Sequence, residues 1–417
     1  MRSTGADGVS TGAFRSDPDS AAVVSRAAGF AVDVIVPVAI STSDQSLQRR
    51  GHPVSNPRKR VLLIGAGGFA NVWVHEFLPA FWDRIEVVGL VDINPETLRR
   101  AGDRLGVPDG QRFLSMEKGF AGTTADACVI VVQPFLRWQA VNLAVAHGLP
   151  ILAEKPVADS WETSLAILNL VRTTGTKMAV VQNYRYSRPI RTLKHVLESG
   201  ELGRTNFISS RFAADYTIET AGGAFRHQIP YAMLYEGAVH HFDQFRNLAD
   251  ADGESIAGFQ WNPAWTTFAN DTTAAFLIRM TNGVVGQFEI NHLARGTQNG
   301  WHEEGYRVEC EHGAVTIDGD GRVRTHVHLG DNRLQVTDVA PVVGEHEDHF
   351  QVIADFLDWL DGGPVPRTNI EDNIHTAALS FAAVEAVRTN AMIDIRAMAE
   401  AGLASIAARD AASLATR

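Results

Sequence analysis

The sequence predicts an α/β protein with a doubly wound parallel sheet first and, after it, an α+β domain with a large, mostly antiparallel open sheet. Two observations support this fold class. Short apolar runs alternate with helix-length segments from about Arg60 to Tyr184, and longer strand candidates separated by turn residues dominate after Gly203. Near-continuous Val, Ile and Leu runs are typical of strands buried on both faces, as in a parallel sheet.

Five apolar runs are the strand candidates of the first domain, which we place at residues 58–185. They are RVLLIG, EVVGLVD, ACVIVV, PILAE and KMAVVQ. The segments between them, such as Pro95 to Leu105 and Trp161 to Thr174, carry apolar residues at helical spacing. A repeated strand–helix–strand order predicts a doubly wound sheet.

The second domain, placed at residues 186–390, has a different rhythm. Its strand candidates are NFISSRFAA, SIAGFQW, TAAFLIRM, VVGQFEI, YRVEC and AVTI. A helix is predicted from about Tyr231 to Leu248, and two more from His346 to Leu360 and from Ile374 to Asn390. We expect the helices of residues 346–390 to pack back toward the first domain, and residues 391–417 to form a helical tail.

Composition excludes several classes of protein. The net charge of −11 gives no overall field that would attract nucleic acid. The longest apolar stretch, from about Ala27 to Ile40, contains Asp33 and Pro37 and is too short to span a bilayer. Two cysteines are too few for a disulfide framework or a cysteine-built zinc site. We therefore predict a cytoplasmic protein.

Residues 1–57 differ in composition from the rest of the chain. They are rich in Gly, Ser, Thr and Asp at the start and polar again with Pro53 and Pro57. Such segments bury too little apolar surface to offset the entropy of ordering, so we predict a disordered extension. An upstream leader, or a start site assigned too far upstream, is an equal alternative to a functional arm.

A glycine-rich turn follows the first strand candidate. This G-x-G-x-x-A turn consists of Gly65, Ala66, Gly67, Gly68, Phe69 and Ala70. Its first glycine permits a tight turn, and its second lets backbone amides approach a pyrophosphate at a helix N-terminus. The sequence therefore predicts a dinucleotide site, with a purely structural turn as the alternative.

Asp92 ends the second strand candidate, 27 residues after Gly65. A carboxylate at this position can bind the ribose 2′-hydroxyl and repels a 2′-phosphate, which favours NAD over NADP. Arg99 and Arg100 lie in the next helix. They could bind a 2′-phosphate and so weaken the preference for NAD, or they could simply face solvent.

Glu154, Lys155 and Pro156 follow the fourth apolar run. The carboxyl ends of parallel strands are where open sheets bind ligands, and proline fixes the turn. We expect Glu154 and Lys155 to lie at this ligand site. The alternative is that they are ordinary exposed side chains at the end of a strand.

Glu236, His240 and Asp243 stand four and then three residues apart within the predicted helix after Tyr231. At 3.6 residues per turn they share one stripe, where two acids could hold one tautomer of the imidazole and raise its basicity. A polar stripe facing water, with His241 beside it, is the alternative.

With these motifs in place, the chain resembles the Gfo/Idh/MocA family of oxidoreductases. The resemblance rests on the Gly65 turn, on AEKPVADS around Lys155 and on EGAVHHFD around His240, and it covers about Arg60 to Asn390. It implies a Rossmann domain followed by an open sheet that closes over the nicotinamide. It also implies oxidation of a secondary alcohol, or reduction of the ketone, on a sugar or cyclitol, and a homodimer or homotetramer.

Carried over to this sequence, the resemblance implies that Lys155 hydrogen-bonds the reacting oxygen and His240 is the general base. Glu236 occupies the place of a common Asp, Gln133 replaces a Thr beside the cofactor, and Trp138 replaces a His.

Four further residues are candidates to line the substrate pocket. They are Tyr184, Arg185, His241 and Asp243. Tyr184 and Arg185 could equally order the junction between the domains.

No metal is expected. His346 and His349 are three residues apart, as metal ligands on one helix face could be, but no further ligand set accompanies them. Three other functions stay open. Two are enzymes: a hydride shuttle between two sugars on a tightly bound nucleotide, and an enzyme that uses the nucleotide transiently to cleave glycosides by elimination. The third is a nucleotide-binding regulator without catalysis.

Overall fold

The computed structural model describes residues 57–217, 227–228, 230–270, 272–296 and 298–415. Apart from Pro57, the predicted N-terminal extension lies outside the described residues. No helix within the described ranges is long and apolar enough to cross a membrane.

The first sheet has six parallel strands in the order β3-β2-β1-β4-β5-β6. The strands are β1 (Lys59–Ile64), β2 (Ile85–Val91), β3 (Arg112–Phe113), β4 (Ala127–Ile130), β5 (Ile151–Glu154) and β6 (Met178–Val181). The five predicted runs all form strands, and the two-residue β3 was not predicted because it has no apolar run. Strand order reverses between β1 and β4, so a crevice for ligands opens at their carboxyl ends.

Helices connect these strands on both faces of the sheet. They are α1 (Ala70–Val72), α2 (Pro95–Leu105), α3 (Met116–Gly122), α4 (Arg137–Ala146) and α5 (Trp161–Thr174). Helix α1 continues as a π-helix over Trp73–Phe77, and a 3₁₀ turn over Asn183–Tyr186 follows β6.

The second sheet has nine strands in the order β14-β13-β12-β11-β7-β10-β9-β8-β15. The strands are β7 (Thr205–Ala213), β8 (Gly253–Trp261), β9 (Thr273–Met280), β10 (Val285–Asn291), β11 (Gly305–Cys310), β12 (Gly313–Ile317), β13 (Val323–His328), β14 (Leu334–Asp338) and β15 (Ile393–Asp394). Strands β7 and β10 pair in parallel and the other pairs are antiparallel. Residues alternate between buried and exposed along β9, as expected of a sheet with one face on the core.

Five further helices follow in the described part of the chain. They are α6 (Arg188–Ser199), α7 (Val239–Ala249), α8 (Asp348–Leu360), α9 (Ile370–Thr389) and α10 (Ile395–Ala415). One of them, α8, packs in a core with the first sheet. Helix α9 begins four residues before the predicted start because the Asn369 side chain accepts hydrogen bonds from the first-turn amides of Glu371 and Asp372. It joins the two sheets, since Ile374 packs in a core with the first sheet and Leu379 in the core of the second.

The segment before α7 departs from the regular helix predicted from Tyr231. Residues Met233–Ala238 form a π-helix, and only Val239–Ala249 is α-helical. The position of Glu236 relative to His240 is therefore set by a π-helical turn and not by the predicted regular α-helix.

Candidate active site at the edge of the parallel sheet

The glycine turn passes close to the end of β4. Gly65 has φ +95°, and a Cβ added there would lie 2.3 Å from the carbonyl oxygen of Val131. Gly68 has φ +54° but faces open space. Only glycine fits the first position, so the turn forms a narrow backbone cradle of the kind a dinucleotide needs.

Asp92 supports this turn from the end of β2. Its Oδ2 accepts hydrogen bonds from the backbone N–H groups of Ala66 at 2.9 Å and Gly67 at 3.1 Å, and its Oδ1 accepts from Asn94 N–H at 2.8 Å. The structure therefore brings the predicted turn and the predicted ribose-binding acid together.

Glu154 lies buried at the end of β5. Its Oε1 accepts a hydrogen bond from the indole N–H of Trp73 at 2.9 Å and lies 3.6 Å from His349 Nε2, and its Oε2 accepts from the backbone N–H of Lys155 at 3.2 Å. Burial alone would raise the pKa of the Glu154 carboxyl, but His349, Lys155 and Trp73 outweigh it and the pKa is lowered. Glu154 is thus held as a carboxylate.

Arg137 was missed by the sequence reasoning, because an arginine in the first turn of a helix is usually solvated. It is fully buried, and its guanidinium donates hydrogen bonds to the carbonyl oxygens of Glu154 and Val132. Burial lowers its pKa to about 10, against the opposing charge of Glu154. Arg137 ties the ends of β4 and β5 together, whereas the neighbouring Gln133 and Trp138 are exposed.

Lys155 reaches across to the second half of the molecule. Its Nζ donates a hydrogen bond to the backbone oxygen of Glu236 at 3.0 Å. Glu236 lies in the π-helical turn that leads into His240. The ammonium from the parallel sheet and the imidazole from α7 therefore converge on one place.

His240 is buried and stacked. Its ring lies 4.3 Å from that of Tyr184, centroid to centroid, at an interplanar angle of 18°. Its Nδ1 has no hydrogen-bond partner within the described part of the chain. Burial, followed by the charge of Lys155, lowers the pKa of His240 well below its usual value. The predicted rise in basicity is therefore wrong, because burial dominates and Asp243 pairs with Arg185 instead of the ring.

Arg185 and Asp243 pair with each other instead of facing a ligand. Two hydrogen bonds of 2.7 Å join the guanidinium to the carboxylate, which also accepts from the Thr376 hydroxyl at 2.7 Å. Arg185 also donates to Asp372 at 2.8 Å. Burial alone would lower the pKa of Arg185, but Asp243 and Asp372 raise it. This arrangement favours the alternative that Arg185 orders the junction, and it speaks against the predicted contact of Arg185 and Asp243 with substrate.

His241 points into the core of the second sheet. Its ring lies between those of Phe212 at 5.0 Å and Phe288 at 4.9 Å, and its Nδ1 is 3.2 Å from the oxygen of Gly237. Its Nε2 is 3.6 Å from Glu304 Oε1. His241 is fully buried, which speaks against the predicted contact with substrate.

His349 contacts an aromatic ring and a carboxylate. Its ring stacks on Phe77 with centroids 4.3 Å apart, beside its contact with Glu154. In the ranges the structure describes, no group of three or more His, Cys, Asp or Glu side chains could hold a metal ion.

A cavity of about 750 Å³ lies beside His240 and shares Tyr184 with it. His302, Glu304, Tyr306 and Asp348 also line this cavity. The sequence reasoning missed all four, since they come from a loop, a strand and a helix start that carry no motif.

Comparison with known proteins agrees with this geometry. Residues 59–182 match the family model described as "Oxidoreductase family, NAD-binding Rossmann fold", and residues 190–316 match the "GFO/IDH/MocA C-terminal domain" model. "Uncharacterized protein y4oX" of Sinorhizobium fredii is 36% identical over 344 residues, which cover 81% of this chain and 96% of that protein. D-apiose dehydrogenase of Rhizobium rhizogenes is 23% identical over 81% of this chain and 97% of its own length.

A solved structure has the same fold. It is an oxidoreductase of Agrobacterium radiobacter in complex with NAD+, L-tartaric acid and magnesium. The TM-score is 0.71 at 22% identity, over 82% of this chain and all of that one. With both family models matched in order on either side of the crevice, this chain belongs to the Gfo/Idh/MocA family of NAD-binding oxidoreductases.

Proposed function

We propose that this protein is an NAD-dependent dehydrogenase that oxidises a secondary alcohol of a sugar, cyclitol or related polyol, or reduces the corresponding ketone. The observation that carries the proposal is the contact of Lys155 Nζ with the backbone oxygen of Glu236, one turn before His240. A cation and a neutral base at one point are what a reacting hydroxyl needs.

His240 acts as the general base in the oxidation direction. Its lowered pKa keeps the imidazole neutral near pH 7, so it can accept the hydroxyl proton. Lys155 donates a hydrogen bond to the same oxygen as negative charge grows there, which stabilises the transition state. In the reduction direction the protonated imidazole returns the proton.

The residues at the carboxyl ends of the parallel strands are of the kinds that bind the phosphates and ribose of NAD. The N–H groups of Gly68 and Phe69 would hold the pyrophosphate, while Asp92, which accepts from Ala66 and Gly67, would bind the ribose. Gln133 and Glu154 would flank the rest of the nucleotide. When bound, NAD supplies acceptance or return of a hydride.

The preference for NAD over NADP is supported by the helix surface after Asp92. Arg99 pairs with Glu96 at 2.9 Å and with Asp103 at 3.0 Å. A guanidinium held by two carboxylates is less available to a 2′-phosphate.

The substrate class is supported by the family and by the relative that is named a D-apiose dehydrogenase. The test is a panel of pentoses, hexoses and cyclitols with NAD+, followed by the absorbance of reduced nicotinamide. Turnover of at least one member is expected, and an inert enzyme would contradict the proposal.

Two variants test the assigned roles. Lys155→Ala and His240→Ala should each lower kcat by about 100- to 10,000-fold, while calorimetry shows NAD+ still bound by His240→Ala. The matched controls are Lys118→Ala and His312→Ala, which remove an exposed lysine and an exposed histidine. Wild-type rates in Lys155→Ala and His240→Ala would refute the assignment.

A hydride shuttle would keep its nucleotide through every turnover. Denaturing the purified protein and measuring released nucleotide separates this alternative from a freely exchanging dehydrogenase. We expect less than stoichiometric release.

A further inference from the structure

A second cavity lies against α6, apart from the one beside His240. Its volume is about 620 Å³, and the two cavities share no lining residue. Its walls include the 3₁₀ turn after β6, α6, α8 and the loop between α8 and α9. Val365 and Arg367 of that loop are exposed, so solutes can reach the cavity from solvent. The volume falls within the range of pockets that hold small-molecule ligands.

Three cationic side chains line this second cavity. Arg191 and Lys194 come from α6, and Arg367 comes from the loop before α9. Lys194 Nζ donates a hydrogen bond to the backbone oxygen of Asn247 at 2.8 Å, and the Arg367 guanidinium lies 3.5 Å from Asn247 Oδ1. Both of these oxygens are neutral, so neither contact balances a positive charge.

Arg191 is held in place by neutral groups. It donates hydrogen bonds to the backbone oxygen of His346 at 2.7 Å and to Gln351 Oε1 at 2.9 Å. Its guanidinium carbon lies 5.5 Å from the centroid of the Tyr186 ring. These contacts orient the guanidinium at the cavity wall without supplying a counter-charge.

Three carboxylates also line the second cavity, but they are engaged elsewhere or lie at longer range. Asp358 pairs with Arg84 at 2.8 Å, and Asp355 accepts a hydrogen bond of 2.6 Å from the side-chain amide of Gln351. Glu198 Oε1 lies 3.9 Å from the lysine ammonium, which is beyond hydrogen-bond distance.

The charge of Lys194 is incompletely balanced. Burial lowers the pKa of its ammonium, and the nearby charges of Arg367 and Arg185 lower it further. The exposed carboxylates of Asp250 and Glu198 raise the pKa, yet it stays below its usual value. An anion in the cavity would therefore stabilise this ammonium.

We propose that Arg191, Lys194 and Arg367 form a binding site for one phosphate-class anion, either free phosphate or a phosphate ester. Guanidinium groups bind phosphate through paired N–H donors, and an ammonium adds a compact positive charge. A cleft lined by cations concentrates anions locally, even in a chain whose net charge is −11. The site goes beyond the proposed dehydrogenase function and does not depend on it.

An anion bound in the second cavity would connect α6 to the loop between α8 and α9. The backbone oxygen of Arg367 accepts a hydrogen bond from Arg185 at 3.0 Å, and Arg185 pairs with Asp243 of α7. Because the three cations come together only in the folded chain, a bound anion should stabilise this junction and raise the thermal midpoint.

Inorganic phosphate is the probe for the site. It is added to the full chain in saturating NAD+, which competes for the glycine turn, with chloride at the same ionic strength as the reference. Titration calorimetry should detect phosphate binding, and phosphate should raise the thermal midpoint above that in chloride. No binding, or equal midpoints in the two salts, would overturn the proposal.

Two variants and a matched control locate the bound anion. Arg367→Gln and Lys194→Gln each remove one charge and should weaken phosphate binding about tenfold. Arg367 is exposed, so Arg367→Gln should keep the wild-type midpoint in chloride. The control Arg322→Gln removes an exposed arginine from the cavity beside His240 and should bind phosphate as the wild type does. Wild-type affinity in Arg367→Gln, or a matching loss in Arg322→Gln, would overturn the proposal.

Titration with glycerol 2-phosphate separates the two sources of the anion. Tighter binding than that of inorganic phosphate would support the site with a phosphate ester as its ligand, and binding no tighter would support it with free phosphate. In either case the affinity must fall in Arg367→Gln, and an unchanged affinity there would refute the site.

Discussion

The end of the parallel sheet and the cavity beside His240 differ in how their polar groups are satisfied. At the sheet end, Asp92 accepts hydrogen bonds from backbone amides, and Glu154 is held by a backbone amide, an indole and an imidazole. Around the cavity, Tyr184 Oη, Tyr306 Oη and Asp348 Oδ1 are buried without a hydrogen bond of normal length to the described residues, and Glu304 Oε1 lies 3.6 Å from His241 Nε2. The protein itself orders the polar groups at the sheet end, whereas those around the cavity are less completely paired.

The two regions also differ in how they are supported. The sheet end follows from short motifs that fold locally at strand ends. The cavity depends on Arg185, Asp243 and Asp372, which join the turn after β6, α7 and α9. Substitutions in the local motifs and in the buried ion-pair network should therefore change the free energy of unfolding by different amounts.

The largest effect is expected at the buried ion pair. Asp243→Ala leaves Arg185 buried without its main partner, which should lower the free energy of unfolding by about 3 to 5 kcal/mol in urea denaturation. The control is Glu385→Ala, which breaks an exposed pair with Arg388 and should change stability far less. Equal losses in the two variants would show that the junction does not depend on the buried network.

A smaller effect is expected at the glycine turn. Gly65→Ala introduces both a clash with Val131 and an unfavourable φ, at a cost of about 3 kcal/mol. Gly68→Ala has open space and should cost only about 1 kcal/mol through its φ. Urea midpoints of both variants check this, and similar losses would contradict the close approach of the turn to β4.

The pH dependence tests the buried histidine. The folded-state pKa of His240 is lowered, so the base stays neutral and kcat/KM for oxidation should hold steady as pH falls through 6.5. The loss should begin only below the lowered pKa. A pH–rate profile that falls at or above 6.5 would show that solvent reaches the imidazole.

The smallest effect concerns the choice of cofactor. Asp92→Asn removes the charge that repels a 2′-phosphate and should shift the NAD/NADP ratio of kcat/KM toward NADP by about tenfold, or ~1.4 kcal/mol. Asp83→Asn, which removes an exposed carboxylate from the loop before β2, should leave the ratio close to that of the wild type. No shift in Asp92→Asn would contradict its role at the ribose.

Local signals in the sequence predicted much of the first domain. The bounds of α2 and α5 were predicted residue for residue, because Asn94 and Ser160 cap their starts and Gly106 and Gly175 end them in the left-handed conformation. The parallel sheet with all five of its predicted strands, the mostly antiparallel second sheet and the family were also confirmed.

The predictions failed where contacts far apart in sequence decide the outcome. Asp243 shares a helix with His240, yet its carboxylate turns to Arg185, 58 residues away in the chain. Helical spacing gives the face of a side chain but not what packs against that face. The oligomeric state and the cytoplasmic location stay predictions.

By itself, the sequence determined the strand–turn–helix units, the glycine cradle and the pairing of an acid with a lysine at a strand end, since each arises within a few residues. Only the tertiary structure decided that Lys155 reaches the turn before His240, that burial keeps this imidazole neutral, and that Glu304 and Asp348 share one cavity with Tyr184. Burial and convergence depend on how the two sheets and α9 pack together, and no local pattern encodes that arrangement.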